Sequence, residues 1–205
     1  MPLNLTPINQ YYSEKIKKYG DSPKAVDWKN KKTQIIRFQS FDPLFLNYSK
    51  KFSVLDYGCG KSDFYFYLKN KFPNFYSYCG VDISENMLNF SRKKLDKEKN
   101  YYLSTKIPNN KKFDFIVAIG TFTVKLNFNQ KDWQKYLMDE IDKLYKVSKK
   151  GIAFNLMTKY VDFEVDHLFY CSPEKLFQEL MTKYRYVDII HSYPLYEYTV
   201  IIKKN

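Results

Sequence analysis

Apolar and polar positions along this chain follow two periods that take turns. Short apolar runs read as buried strands: FSVLDY over 52–57, SYCGVDIS over 77–84, NYYLS over 100–104, FDFIVAIGTF over 113–122 and KGIAFNLM over 150–157. Between them the apolar residues fall at helical spacing, in SDFYFYLKNKF over 62–72, SENMLNFSRKKLDK over 84–97, DWQKYLMDEIDKLYKVS over 132–148 and SPEKLFQELMTKY over 172–184. Ser84 and Ser172 stand where helix N-caps are expected, and Pro173 suits a first helical position. Two further strands, YVDIIHSY over 186–193 and EYTVIIKK over 197–204, flank a tight turn at Pro194 and form an antiparallel hairpin. The alternation predicts an α/β fold: a doubly wound, mostly parallel, seven-stranded sheet with helices on both faces, closed by that hairpin.

About fifty residues precede the first strand, and TQIIRFQSFDPLF within them is partly helical in pattern. We expect residues 1–49 to form a helical cap or lid and residues 50–205 the main domain. Tyr11 and Tyr12 in QYYSEK and Trp28 in VDWKN would then bring aromatic rings over whatever the sheet binds. Neither repeats nor a domain-splitting linker are evident in the pattern.

The chain has only six glycines, and two of them bracket a cysteine in VLDYGCG, at the end of the first strand. In an open parallel sheet, ligands bind beyond the carboxyl ends of the strands, where strand order reverses. Glycine there permits a tight turn and a close approach of ligand to backbone. A dinucleotide fingerprint needs a third glycine, but Asp63 stands at that position, the wrong charge for a pyrophosphate at a helix start. An acid at Asp56 and another at Asp63 suit a ligand carrying a sulfonium and an ammonium. Asp82 ends the second strand, 22 residues after Gly60, where a carboxylate can accept both hydroxyls of a ribose. Ile83 and Met87 follow closely enough to pack on an adenine face. Cys59 lies inside the turn as a small filler with no histidine or second cysteine nearby.

Taken together, VLDYGCG, GVDISENML and FDFIVAIGTF resemble the successive signatures of class I S-adenosylmethionine-dependent methyltransferases, which have a Rossmann-like fold. The motifs cover roughly residues 50–157, and the closing hairpin extends the likeness to the C-terminus. VDWKNKKTQIIRF and GIAFNLM with YPLYEYTV are also similar to a small bacterial subgroup of that family. The resemblance implies S-adenosylmethionine as cofactor. It implies that Asp56, Gly58 and Gly60 surround the methionine part, that Asp82 holds the ribose, and that Gly120 and Thr121 close over the cofactor from the fourth strand. The family often places an acid after the third strand, but Leu103-Ser104-Thr105 has none, so Ser104 or a backbone carbonyl would have to serve the adenine.

Methyl transfer from a sulfonium is an in-line displacement with an activated leaving group, so the protein aligns the acceptor, excludes water and, for a hydroxyl acceptor, takes a proton. The chain has two histidines, and His167 in VDFEVDHLFY and His191 in IIHSYP are the candidate bases. Arg37 is a candidate clamp for the cofactor carboxylate. The net charge of +12 points less to nucleic acid than it first suggests, because arginine supplies only three of the 34 basic residues and the lysines are scattered. Abundant Asn, Tyr, Phe and Ile alongside those lysines fit an AT-rich genome. Three scattered cysteines, Cys59, Cys79 and Cys171, make neither a disulfide framework nor a metal site and fit a reduced, cytoplasmic chain; no metal is expected. No signal peptide or membrane-length apolar run is evident. The expected function is methylation of a small-molecule acceptor at oxygen. One alternative is an RNA methyltransferase using the lysine-rich surface, although IGTF in place of an N/D-P-P-Y/F motif argues against a base N-methylase. Another is a regulatory protein that binds the cofactor without catalysis. Composition does not determine the oligomeric state.

Overall fold

The computed structural model describes residues 3–204. Its centre is a sheet in which β1 (Phe52–Tyr57), β2 (Phe75–Val81), β3 (Tyr101–Ser104), β4 (Phe113–Ala118) and β5 (Ser148–Thr158) run parallel. The C-terminal pair, β7 (Tyr186–Ile190) and β8 (Glu197–Lys203), is antiparallel, and β8 inserts between β5 and β7. The resulting order is β3-β2-β1-β4-β5-β8-β7. The sheet has one strand more than the sequence pattern predicts: Tyr170–Cys171 forms a two-residue β6 beside the end of β5. Two residues are too few to leave a periodic signature.

Alternation along the strands assigns each side chain to a face. Leu55, Ile116, Ile152, Phe154, Val200 and Ile202 enter one apolar cluster. Their neighbours Val54, Phe115, Val117, Ala153 and Ile201 enter the other. Helix α5 (Gln130–Val147) covers the first face with Trp133, Leu137, Ile141 and Leu144, which recur every three or four residues. Helix α6 (Pro173–Met181) joins it, opened by Pro173 and by Ser172, whose hydroxyl accepts the Lys175 N–H. The second face is covered by α2 (Lys31–Gln39), α3 (Asp63–Lys71) and α4 (Glu85–Lys94). There the chain spends its aromatic residues on core, with Phe45, Phe52, Phe72 and Phe115 packed ring to ring at 5.1–6.3 Å.

The N-terminal segment is built into both clusters. Ile8 of α1 (Thr6–Tyr19) packs in the first, and Phe38 of α2 with Phe41, Leu44 and Phe45 packs in the second. Helix α1 also lies against α4, where the Ser13 and Ser84 hydroxyls pair at 2.8 Å. Because Ser84 is the N-cap of α4, this contact fixes α1 over the carboxyl end of β2. Among the described residues, no helix is long and apolar enough to cross a membrane.

Candidate active site

The chain turns sharply after β1. Gly58 and Gly60 take positive φ, +75° and +51°, and so does Ser62. A Cβ on Gly58 would collide with Thr121, so this residue is required both by its backbone angle and by the approach of the β4 loop. The Gly58 and Cys59 N–H groups donate to the Val81 carbonyl at 2.7 and 3.0 Å, fastening the turn to β2. The Thr121 hydroxyl donates to the Tyr57 carbonyl at 2.7 Å, fastening it to β4.

These loops enclose a cavity of about 350 Å³ at the carboxyl end of the sheet. Its wall includes Asp56, Gly58, Cys59, Gly60, Asp82, Ile83, Met87, Gly120, Thr121 and Trp28, so the structure gathers at one place ten residues that the sequence motifs single out separately. Helix α1 roofs the cavity with Leu5, Ile8 and Tyr12, and α5 contributes Trp133 and Tyr136 to its side. Thr105, Lys106 and Ile107 follow β3 along the rim, where the sequence offers no acid.

Three carboxylates line this space, in different electrostatic settings. Asp82 accepts the Gly60 and Ser84 N–H groups, one on each oxygen, both at 2.8 Å. Burial pushes its carboxyl up to about 6, against the lowering effect of those two bonds. Asp56 accepts the Tyr78 hydroxyl at 2.6 Å, and burial with the nearby charges of Asp82 and Asp63 pushes it up to about 7. Burial also acts to raise Asp63, but Lys94, Lys61 and the Gln34 amide outweigh it and hold Asp63 below the ordinary carboxylate value. Lys61, itself buried, also donates to the Asp21 carbonyl at 2.6 Å, so the cluster ties the N-terminal segment to the turn. Asp63 therefore has cations of its own, which changes the expectation that it would answer a cationic ligand.

Other expected residues sit elsewhere. Arg37 does not line the cavity: its guanidinium grips Glu197 of β8, with Nε 2.9 and 3.0 Å from the two carboxylate oxygens. Tyr11 lies outside the wall, edge-on to its neighbour Tyr12, which is the tyrosine that faces in. On a helix, adjacent residues point about 100° apart, so only one of the two can face the cavity. His167 is exposed, in a loop whose backbone is pinned when its carbonyl accepts the Lys125 and Leu126 N–H groups. His191 is also exposed, against the rings of Tyr160 and Tyr198. Neither histidine reaches the cavity wall. Burial, with Asp82 and Asp56 nearby, pushes the Cys59 thiol well up, so it stays protonated and inert.

Sequence reasoning missed Tyr57, which lines the cavity and whose hydroxyl donates to the buried Glu140 of α5 at 2.8 Å. It also missed Asn155 of β5, whose Oδ1 accepts the Gly120 N–H at 2.7 Å. A buried polar pair on a strand and a helix 83 residues apart leaves no local pattern; the mid-helix acid on the apolar side of α5 is the one sign of it.

Comparisons with known proteins bear on the domain and the fold. Residues 55–146 match the family described as a methyltransferase domain. Rv1506c of Mycobacterium tuberculosis, an inferred methyltransferase, is 29% identical over 163 residues, which span 78% of this chain and 97% of that protein. Among solved structures, magnesium protoporphyrin IX methyltransferase from Synechocystis PCC 6803, with bound S-adenosylhomocysteine, superposes with a TM-score of 0.68 at 13% identity, covering 98% of this chain and all of that one (100%). The N-methyltransferase NodS of Bradyrhizobium japonicum WM9, in complex with the same product, gives a TM-score of 0.63 at 13% identity over 96% and 98% of the two chains. At such identities these two structures speak to the fold alone. The sheet order, the glycine turn and the matched domain together define the class. The chain is similar to class I S-adenosylmethionine-dependent methyltransferases, in the matched domain and in the fold of the sheet.

Proposed function

We propose that this chain uses S-adenosylmethionine to methylate a small-molecule acceptor, at an oxygen. The observation that carries the cofactor assignment is Asp82. A carboxylate has about four acceptor positions, and two of those on Asp82 are taken by the Gly60 and Ser84 N–H groups. The remaining two suit the paired hydroxyls of a ribose. Gly58 and Gly60 leave room for a ligand against the backbone, and Ile83 and Met87 offer apolar surface for an adenine. Thr105 and Lys106 supply main-chain groups at the rim where the family often has an acid.

When bound, the cofactor supplies an activated methyl group on sulfur. The chain's own residues orient it and keep water out under the α1 roof, and a hydroxyl acceptor must lose its proton as the methyl group arrives. Tyr57 lines the cavity and is held in place by the bond its hydroxyl donates to Glu140. Asp56, titrating near neutrality, lies where its charge favours a cationic donor. A cavity of about 350 Å³ is at the small end of ligand pockets, a size that suits the cofactor.

The test is a labelled-methyl transfer assay with the full-length chain against a metabolite extract, divided into nuclease-treated, protein-free and untreated arms. The proposal expects transfer to survive both treatments and the label to sit on an oxygen. Loss of transfer on nuclease treatment would instead identify a nucleic-acid acceptor. If isothermal titration gives no binding of S-adenosylmethionine or S-adenosylhomocysteine, the cofactor assignment fails.

A further inference from the structure

The β4 loop carries Gly120, and Gly120 is held from two directions. Its N–H donates to Asn155 Oδ1 at 2.7 Å. Its other side faces Trp28, close enough that a Cβ on Gly120 would lie 3.4 Å from the indole. Both restraints lead back to one residue. The Asn155 amide donates to Glu197 Oε2 at 2.5 Å, and Glu197 is gripped by Arg37 through Nε and Nη2. The Arg37 guanidinium also stands over the Trp28 ring, 5.3 Å from its centroid. The members are rigidly placed: Asn155 is fully buried, Glu197 is 3% exposed and Arg37 is anchored further by the Thr33 carbonyl.

Surface strength alone does not account for this arrangement. A bidentate arginine–carboxylate pair mostly out of water needs its remaining hydrogen-bonding positions filled. Here the position left on Glu197 is filled by an amide whose own acceptor is spent on the backbone of the cavity loop. Asn155 has one acceptor and one donor group, and each faces the partner that only it can serve. The φ of Gly120, +73°, is a conformation with little intrinsic preference, so an external bond decides where its N–H points.

We propose that Arg37 is a positioning residue for the methyl-transfer site: acting through Glu197 and Asn155 on one side and Trp28 on the other, it sets the Gly120 turn, so that the N-terminal segment and the C-terminal strand jointly shape the cofactor pocket. The inference rests on the assignment of Gly120 to the cofactor site. It gives Arg37 a role different from a direct clamp on the cofactor carboxylate.

Exchanging the two ends of the relay tests this. Asn155→Asp alone sets two carboxylates against each other beside Arg37. Asn155→Asp combined with Glu197→Gln restores the relay: the new carboxylate accepts from the Gly120 N–H and from the new amide, and the oxygen of that amide accepts from Arg37, with only the longer second bond of Arg37 Nε lost. S-adenosylhomocysteine affinity is measured by titration calorimetry on the full-length chain, with melting temperature in parallel. Tyr184→Phe, which removes a bond to Asp142 far from the cavity, controls for stability alone. The single variant is expected to lose about tenfold in affinity, and the double variant to return to within about threefold of wild type. Tyr184→Phe is expected to lower melting temperature without moving affinity. A double variant that binds no better than Asn155→Asp overturns the inference, as does a single variant that binds like wild type. If Asn155→Asp fails to fold, Glu197→Gln alone is read against the double variant with the same two outcomes. Wild type that does not bind the product at all fails the cofactor assignment instead, which separates the two.

Discussion

Four carboxylates in and behind the cavity wall fall into two groups. Asp63 and Glu197 each have a cation: Lys61 and Lys94 for the first, Arg37 for the second. Asp56 and Asp82 have none, and depend on a tyrosine hydroxyl and on backbone N–H groups. All four lie within one region, at the carboxyl end of the sheet or just behind it. The paired acids act as fasteners: one ties the N-terminal segment to the glycine turn, the other ties α2 to β8. The unpaired acids carry a desolvation cost that no protein cation offsets, as their raised titration at about 7 and about 6 indicates. Folding alone gives no reason to retain such groups; a ligand rich in hydroxyls and positive charge does.

The contrast can be broken most forcefully at Asp63. Asp63→Asn keeps the shape but leaves the buried Lys61 with only the exposed Asp21, and should destabilise the protein by about 3 kcal/mol in urea titrations at pH 7. Because the carboxyl is held below its usual value in the folded state, its contribution is present above the ordinary carboxylate range. The gap between wild type and variant should therefore close as pH falls below that range, toward the lowered folded-state value.

At Asp82 the effect should appear in binding instead. Asp82→Ala should weaken S-adenosylhomocysteine binding by about 2 kcal/mol, measured by calorimetry, through the lost ribose bonds. Wild-type affinity should itself fall about tenfold between pH 7.5 and pH 5, as the carboxyl gains a proton near 6. A flat pH profile would mean that this acid does not face the sugar.

Asp56→Asn should do the opposite of Asp63→Asn. An acid whose titration is raised on folding stabilises fully below its unfolded value of 3.8 and loses that contribution as pH rises toward 7. The asparagine keeps an acceptor for Tyr78 without the charge, so the ligand-free protein should gain about 1–2 kcal/mol at pH 8 and less at pH 5, read from thermal melts. Smallest of all, His167→Ala and His191→Ala should leave product affinity within about twofold of wild type, since an exposed ring adds little to a buried site. A tenfold loss in either would place a histidine in the cavity after a rearrangement.

Much of this was legible before any coordinates. Strand runs and helical spacing identified the α/β class, because a buried parallel strand is a continuous apolar run and a covering helix is not. Ser84 and Ser172 marked two helix starts correctly because capping is local. The glycine turn and Asp82 were legible for a related reason: the residues that make the turn are consecutive, and the distance to the next strand end is set by one helix and two loops. What failed was direction and partnership. Tyr11 and Tyr12 are neighbours in sequence, but only the packing of α1 on α4 decides which ring enters the cavity. Arg37 and Asp63 look available as charges in a linear chain, and become committed only when Glu197 and Lys94 arrive from far along it.

The chain by itself therefore determined the periodicities, the caps and the glycine turn, since these depend on backbone geometry within a few residues. Tertiary structure alone decided which charges are neutralised, which stay open to a ligand and how the Gly120 turn is held. Those outcomes turn on desolvation and on partners brought together across as many as 160 residues of sequence, where no local pattern can report them.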